Sequence, residues 1–424
     1  MGWRPSATGA SFPPPPRATP VTASFLPATP RALTARTLDW EVSLKILISA
    51  GEASGDRYAA GVARAILKLR PDLEFFGCTG EEMRAAGVRT VVDSASLAVV
   101  GLAEVVSHIP RIYGEYRRLV AAAERERPAL AVLTDSAGFH MRVANALKNK
   151  GIPIIQLVAP QAWAWREYRV RNLRRNVTEL HCIFPFEESF FRERGVNAHY
   201  VGHPLARIVK ARWSRNEFFA RHRLPEGRPL VALCPGSRRG EIARHLAVLA
   251  ETVERVSAAR ACTFLLAAPS GSAERFGTAF FDPIRGDGRV RYCEGETWDA
   301  MAHADVTLAA SGTVTMEAAL LGAPMVTYYR VSPLTYFVGK PLVRVPFYSM
   351  VNLVAGRRLV AEYIQSGMTA ANLAGETLRL LDSPEERARV KAELGAVRAA
   401  LEAGHDPFEE SARRIVKHIQ EEVR

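Results

Sequence analysis

The feature that most constrains this chain is an alternation of short apolar runs with longer amphipathic stretches, repeated in two series. Runs of strand length occupy 44–49, 73–76, 129–134, 152–158 and 180–184, and helical stretches separate them. Tyr58, Val62, Ile66 and Leu69 recur on one side of the first of these helices. A second series follows His203-Pro204, with runs at 230–234, 263–267, 290–292, 306–309 and 325–328. Strands joined through helices must pair in parallel, and parallel sheets are covered on both faces. Two series therefore predict two Rossmann-like α/β domains, over 43–206 and 207–370, with a cleft between them. Residues 208–228 read as a charged, mostly helical connector. The charged stretch 371–424 reads as helices that pack back on the first domain or on a partner chain, which leaves a homodimer open.

Residues 1–42 break this pattern. They carry Pro13-Pro14-Pro15-Pro16, many Ser, Thr and Ala residues, and scattered Arg. Such a stretch cannot bury enough surface to offset its conformational entropy and reads as a disordered tail. Its acid-poor, Arg-bearing composition also resembles a transit peptide, and Met1-Gly2 with Ser6 fits the loose myristoylation pattern. An over-long translation start would produce the same tail.

Apolar residues make up 48% of the chain and charged ones 24%, which fits a globular fold with a proper core. The net charge of +12 favours acidic partners: phosphates, nucleic acid or an anionic membrane surface. Cys78, Cys182, Cys234, Cys262 and Cys293 are scattered, odd in number and without a CxxC pair. Buried thiols fit this better than a disulfide frame or a zinc site. No apolar run is long enough to span a bilayer.

Ligands of open parallel sheets bind at the carboxyl ends of strands, so the loops there are the candidates. The first strand runs into Gly51-Glu52-Ala53-Ser54-Gly55-Asp56, where two glycines admit close approach of a ligand and Ser54 can cap the next helix. It is not a GxGxxG fingerprint. The run 129–134 ends at Asp135, which should sit at the strand tip, placed to take a proton from an attacking hydroxyl; His140 is a second candidate base. Trp163 and Trp165 beside Arg166 could stack on bases, line a sugar or lipid cleft, or pack in the core. Gly236-Ser237-Arg238 opens the second domain as a strand, turn and helix start, where free N–H groups and a guanidinium would cradle a diphosphate. It lacks the GK[ST] ending of a Walker loop, and no D-x-D pair for a divalent ion occurs in the chain.

Ser311-Gly312-Thr313 begins a short helix stopped by Gly322 and Pro324, with Ser311 able to cap it. Glu317 lies one turn beyond Thr313 on the same face and is the only side chain charged at neutral pH between Asp305 and Arg330. A carboxylate in so apolar a segment needs partners, and the ribose hydroxyls of a bound nucleotide would serve. The segment 96–106, followed by His108-Ile109-Pro110-Arg111, suits an acyl chain or membrane interface, or an ordinary buried helix. Residues 337–354, with Lys340, Arg344 and Asn352, form a second apolar and aromatic stretch.

Taken in order, SAGEASGD from Ser49 to Asp56, VVGLAEV, WAWR ending at Arg166, VGHPL around His203, PGSR ending at Arg238, SGTxxxE ending at Glu317 and NLVAGRxLVxEYIQ from Asn352 resemble the lipid-A-disaccharide synthase family. The resemblance spans roughly 44–370. It implies a GT-B fold and an inverting transferase that moves 2,3-diacylglucosamine from UDP onto 2,3-diacylglucosamine 1-phosphate, with no cofactor or metal. It implies Asp135 as the catalytic aspartate, Arg238 at the donor diphosphate, Glu317 as a donor-binding glutamate and Asn352 on the donor side. Gly236, Ser237, Ser311, Gly312 and Thr313 complete the expected donor site. Gly51, Glu52, Ser54, Gly55, Asp56, Trp163, Trp165, Arg166 and His203 are expected on the acceptor side or in the cleft. The implied setting is cytoplasmic, peripheral on the anionic inner face of the membrane, with no nucleic-acid partner. Two departures from many relatives are Ala159-Pro160-Gln161 in place of S-P-S and Met350-Val351-Asn352 in place of L-P-N. The rival readings are a related UDP-N-acetylglucosamine transferase, a UDP-sugar 2-epimerase and a non-catalytic nucleic-acid-binding protein.

Overall fold

Two fully parallel sheets organise the chain in a computed structural model that describes residues 44–97, 102–164, 167–285, 288–339 and 345–422. The first sheet holds β1 (Lys45–Ala50), β2 (Glu74–Thr79), β3 (Arg89–Asp93), β4 (Leu130–Thr134), β5 (Ile154–Leu157), β6 (Glu179–Cys182) and β7 (Ala198–Tyr200), in the order β3-β2-β1-β4-β5-β6-β7. The second holds β8 (Leu230–Cys234), β9 (Thr263–Ala268), β10 (Val290–Glu294), β11 (Val306–Ala310), β12 (Met325–Tyr329) and β13 (Ala361–Ile364), in the order β10-β9-β8-β11-β12-β13. β3, β7 and β13, absent from the expected runs, all lie at sheet edges.

Side chains alternate across a strand, so each central strand feeds two layers. Ile46, Ile48 and Ala50 join the core under the helix Ala53–Leu69, together with its Tyr58, Val62 and Ile66. Leu47, from the same strand, packs on the other face with Leu119 of helix Leu102–Glu126 and Phe139 and Val143 of helix Ala137–Lys148. Leu69, the last residue of its helix, is exposed rather than part of the buried stripe.

The chain then returns on itself. Helix Ala370–Asp382 lies on helix Arg239–Ala259 of the second domain, and Pro384–Glu402 follows after a Ser383 cap, with Pro384 at the first helical position. The last helix, Pro407–Glu422, packs on Ala53–Leu69 of the first domain. There the rings of Tyr58 and Phe408 lie 5.6 Å apart, and a Cβ on Gly61 would meet Phe408 at 2.4 Å. Glu179 of β6 accepts hydrogen bonds from Arg414 and His418 of that helix. The interdomain connector is shorter in helix than expected, with Leu205–Ile208 and Arg215–Arg221 only. Among the described residues, no helix is long and apolar enough to cross a membrane.

Each sheet reverses direction of growth at one place, between β1 and β4 in the first and between β8 and β11 in the second. Loops leaving the two strands at such a point diverge to opposite sides and open a crevice. In the first sheet Ala50 pairs with Thr134, so Gly51 and Asp135 leave side by side. In the second Cys234 pairs with Ala309, which brings the turn at Gly236 to the turn at Gly312.

Candidate active site

Asp135 leaves β4 in the left-handed region, at φ +47°, followed by Ser136 at φ +35°. The backbone N–H groups of Gly51 and Glu52 donate to its carboxylate at 2.8 and 3.2 Å. The helix beginning at Ala53 passes so close that a Cβ on Gly55 would lie 1.5 Å from Asp135 Oδ2. Only glycine fits there. Burial pushes the Asp135 carboxyl up to about 7, against the pull of the Gly51 N–H and with the nearby charge of Glu52 adding to the rise.

His140 is one turn on, buried, and held near 4 by its desolvation. Its Nδ1 bonds the Asp135 carbonyl at 3.1 Å and its Nε2 lies 2.7 Å from Ser49 Oγ. A neutral ring with Nδ1–H donating and Nε2 accepting satisfies both contacts. His140 thus fixes the backbone of Asp135 rather than standing as a separate base.

The second-domain turn differs from its expected form. Gly236 lies at φ +115°, and the carboxylate of Glu241 folds back to accept from the N–H groups of Ser237 at 3.1 Å and Arg238 at 3.4 Å. These N–H groups are occupied, not free. A Cβ on Gly236 would meet Glu241 Oε2 at 2.5 Å. The Arg238 side chain is exposed and makes no hydrogen bond or ion pair with a described residue. Beside this turn, helix Thr313–Leu320 starts with Gly312 as its N-terminal flank. Ser311 does not cap it; its hydroxyl donates to the Tyr348 carbonyl at 3.2 Å. Glu317 is pushed above the usual carboxylate range by burial, opposed by a hydrogen bond from Trp298 and the charge of Arg57.

The other expected residues divide into cleft and support. Asp56 is buried and accepts from the N–H groups of Gly80, Glu82 and Met83, at 2.7, 2.8 and 3.3 Å, so it caps helix Glu81–Ala85. Ser54 sits exposed inside its helix and caps nothing. Trp163 donates to the buried Glu187 at 3.0 Å and meets the Phe186 ring edge-on, which makes it a packing residue. His203 is buried in the interdomain strap: Leu205 N–H donates to its Nδ1 and its own N–H donates to the Leu401 carbonyl. Asn352 is fully buried. It accepts from Leu359 and Val360 N–H and donates to the Val360 carbonyl and Glu362, so it fastens a loop and does not open on the cleft. Trp165, Arg166, Lys340 and Arg344 lie outside the described residues, as do 98–101 of the expected acyl segment 96–106.

One cavity of about 1880 Å³ joins the two sides, walled by Gly51, Glu52 and Ser136 around Asp135 and by Ser237 and Arg238 opposite. Its far wall is apolar, with Leu97, Ile112, Tyr116 and Phe139. A second chamber of about 540 Å³ lies over Gly236, Arg238, Gly312, Thr313 and Glu317. Arg57 lines both. Arg57, Glu241 and Trp298 were missed in the sequence. Arg57 lies one residue past the Gly51-to-Asp56 loop, and extending that loop by one would have included it; Trp298 comes from helix Thr297–His303 and carries no local signal. Among the described residues, no cluster of three or more His, Cys, Asp or Glu side chains has the arrangement of a metal site.

Residues 46–416 match the family model described as lipid-A-disaccharide synthetase. The chain belongs to that family. It is 58% identical over 357 residues to a lipid-A-disaccharide synthase of Solibacter usitatus, an alignment that covers 84% of this chain and 93% of the relative. This synthase-family chain also shares its fold with a solved glycosyltransferase of kitacinnamycin, at a TM-score of 0.60, 16% identity and coverage of 88% and 99%. A UDP-N-acetylglucosamine 2-epimerase from Neisseria meningitidis, solved with UDP-N-acetylglucosamine, superposes with a TM-score of 0.57 at 12% identity, covering 89% and 100%. Its two facing parallel-sheet domains are those of a GT-B glycosyltransferase.

Proposed function

We propose that this enzyme, a hexosyltransferase of lipid A biosynthesis, moves 2,3-diacylglucosamine from UDP onto the 6-hydroxyl of 2,3-diacylglucosamine 1-phosphate. The products are UDP and the β-1,6-linked disaccharide 1-phosphate. The observation that carries the reading is Asp135: a carboxyl raised to about 7, held by Gly51 and Glu52, which with Ser136 line one cavity that reaches Arg238 on the other domain.

In this mechanism the acceptor sugar lies in the first-domain cavity with its hydroxyl at Asp135. The hydroxyl oxygen forms a bond to the donor sugar's anomeric carbon as the bond from that carbon to the diphosphate oxygen breaks. Asp135 takes the hydroxyl proton, and UDP leaves with the electron pair. A base whose pKa lies near the working pH transfers the proton with the least mismatch. The departing diphosphate gains charge, which the Arg238 guanidinium and the start of helix Thr313–Leu320 stabilise more than in the ground state. Glu317, held by Trp298, faces the same chamber and suits the ribose hydroxyls. The apolar wall around Ile112 and Tyr116 gives acyl chains a surface, and the neighbouring Ile109 and Tyr113 are 54% and 59% exposed, a surface for peripheral contact with the cytoplasmic face of the membrane.

The test is incubation of purified protein with UDP-2,3-diacylglucosamine and the diacylglucosamine 1-phosphate acceptor, followed by chromatography. Equal amounts of UDP and disaccharide, each dependent on acceptor, are expected. Conversion of UDP-N-acetylglucosamine to its epimer, or transfer only to a different lipid, would overturn the reading.

A further inference from the structure

Three guanidinium groups line the chamber over Glu317: Arg57, Arg212 and Arg238. Arg212 is committed, since its Nε donates to Asp299 at 3.2 Å and its Nη2 to the Gly295 carbonyl at 2.7 Å. Arg57 and Arg238 make no hydrogen bond or ion pair with any described residue. They also come from different domains, Arg57 from the first turns of helix Ala53–Leu69 and Arg238 from the turn after β8.

An exposed arginine without a partner is ordinary on an open surface, where water satisfies it. Arg57 differs in position. It borders the cavity beside Asp135 and the chamber of Arg238 and Glu317 alike, so it stands where the two meet. Its charge already reaches across the cleft, because it pulls against the upward shift of Glu317 on the second domain. The carboxylate nearest the Gly236 turn, Glu241, is turned onto backbone N–H groups and does not neutralise either arginine. Two unpaired guanidinium groups thus face one chamber from opposite walls, a match in number and sign for the two phosphates of a nucleoside diphosphate.

We propose that Arg57 is a catalytic residue of the transfer, a second cation that the acceptor domain extends across the cleft to the diphosphate of the sugar donor. The proposal rests on the reading of that donor as a UDP-sugar. At the junction of the chambers the guanidinium lies beside the bond that breaks, so it meets the diphosphate as its charge grows.

The experiment compares wild type, Arg57→Ala and Arg57→Lys in two readouts, turnover to disaccharide and calorimetric titration with UDP alone. Loss of one such charge contact at a leaving group lowers kcat about a hundredfold. Arg57→Ala is therefore expected to lose about that much in kcat, to bind UDP about tenfold more weakly, and to leave the KM for the lipid acceptor within about threefold. Arg57→Lys keeps the charge and should recover part of both losses. The side chain is exposed, so both variants should melt with the wild type. Unchanged UDP affinity in Arg57→Ala overturns the assignment, whatever its turnover, and so does a wild-type kcat. If wild type makes no disaccharide, the proposed transfer fails, while the UDP titrations still decide whether Arg57 meets the diphosphate.

Discussion

Asp135 and Glu241 each turn a carboxylate back over backbone N–H groups at the carboxyl end of a central strand, one in each domain. Asp135 accepts from Gly51 and Glu52, and Glu241 from Ser237 and Arg238. Both have a glycine pressed against them, Gly55 in the first domain and Gly236 in the second. The surroundings part them. Asp135 is disfavoured as an anion until about pH 7 chiefly by its burial, with the carboxylates Glu52 and Asp56 adding to the rise and no bonded cation against it. Glu241 sits beside Arg238 in a chamber that also holds Arg57. The same local device holds the carboxyl proposed as proton acceptor where neighbours are acidic and closes a helix start where neighbours are basic. Local geometry alone does not separate the two; the burial of Asp135 and the charges that each corner meets do.

If that contrast is right, the largest effect should come from Asp135→Asn. The amide keeps the shape and cannot take a proton, so turnover should fall about a thousandfold or more, in the range general bases contribute. UDP affinity should stay within about twofold, because the proposed diphosphate site, at Arg238 and Arg57, does not include Asp135. Retention of turnover near the wild-type rate, read by UDP release, would remove Asp135 as the base.

Gly55→Ala tests the geometry without touching the charge. A Cβ 1.5 Å from Asp135 Oδ2 forces the carboxylate or the helix to move. A shift of about 1 Å at a reacting group costs about a hundredfold in kcat, and crowding a packed site costs about 1–3 kcal/mol of stability. Turnover and thermal melting report both. Wild-type turnover in this variant would mean that the close approach of the helix to Asp135 does not matter for the reaction.

The pH profile tests the electrical half of the contrast. A base must be ionised to work, and the Asp135 pKa is raised, so activity is lost on the acid side of the raised value. With acceptor and donor dilute, kcat/KM should fall about tenfold for each pH unit below about 7 and level off above it. A plateau that extends down to pH 5 would show that an ordinary carboxylate, or another group, accepts the proton.

How much of this could be read from the residues alone follows from what each feature depends on. Central strands were legible because they are buried on both faces and read as continuous apolar runs; the run at 230–234 coincides with β8. The three unforeseen strands, β3, β7 and β13, each have one neighbour and partial exposure, so Arg89, His199 and Glu362 interrupt their apolar pattern. The place of Asp135 at a strand tip was legible for the same reason as β4 itself. The tasks of Asn352 and Trp163 were not, because each is set by a partner brought in through the fold, Val360 and Glu362 for one and Glu187 for the other. The place of Arg57 beside the first loop was within reach of the sequence, but not its task, since the wall it faces belongs to the opposite domain.

The smallest expected effect is also the one that tests Glu241 most directly. Glu241→Gln keeps an oxygen to accept from Ser237 and Arg238 and removes a negative charge from the edge of the diphosphate chamber. If Glu241 serves only to hold the turn, its charge is a mild obstacle to an anionic ligand. UDP should then bind about fivefold more tightly to the variant, which corresponds to ~1 kcal/mol, the upper end for one solvent-exposed charge interaction. Calorimetry at low and high salt separates this from a change of shape, because a charge effect shrinks as ionic strength rises. Weaker binding would mean that the charged hold on the turn outweighs the repulsion. Glu241 would then work through its ionisation, as is proposed for Asp135, and the two corners would differ in position only.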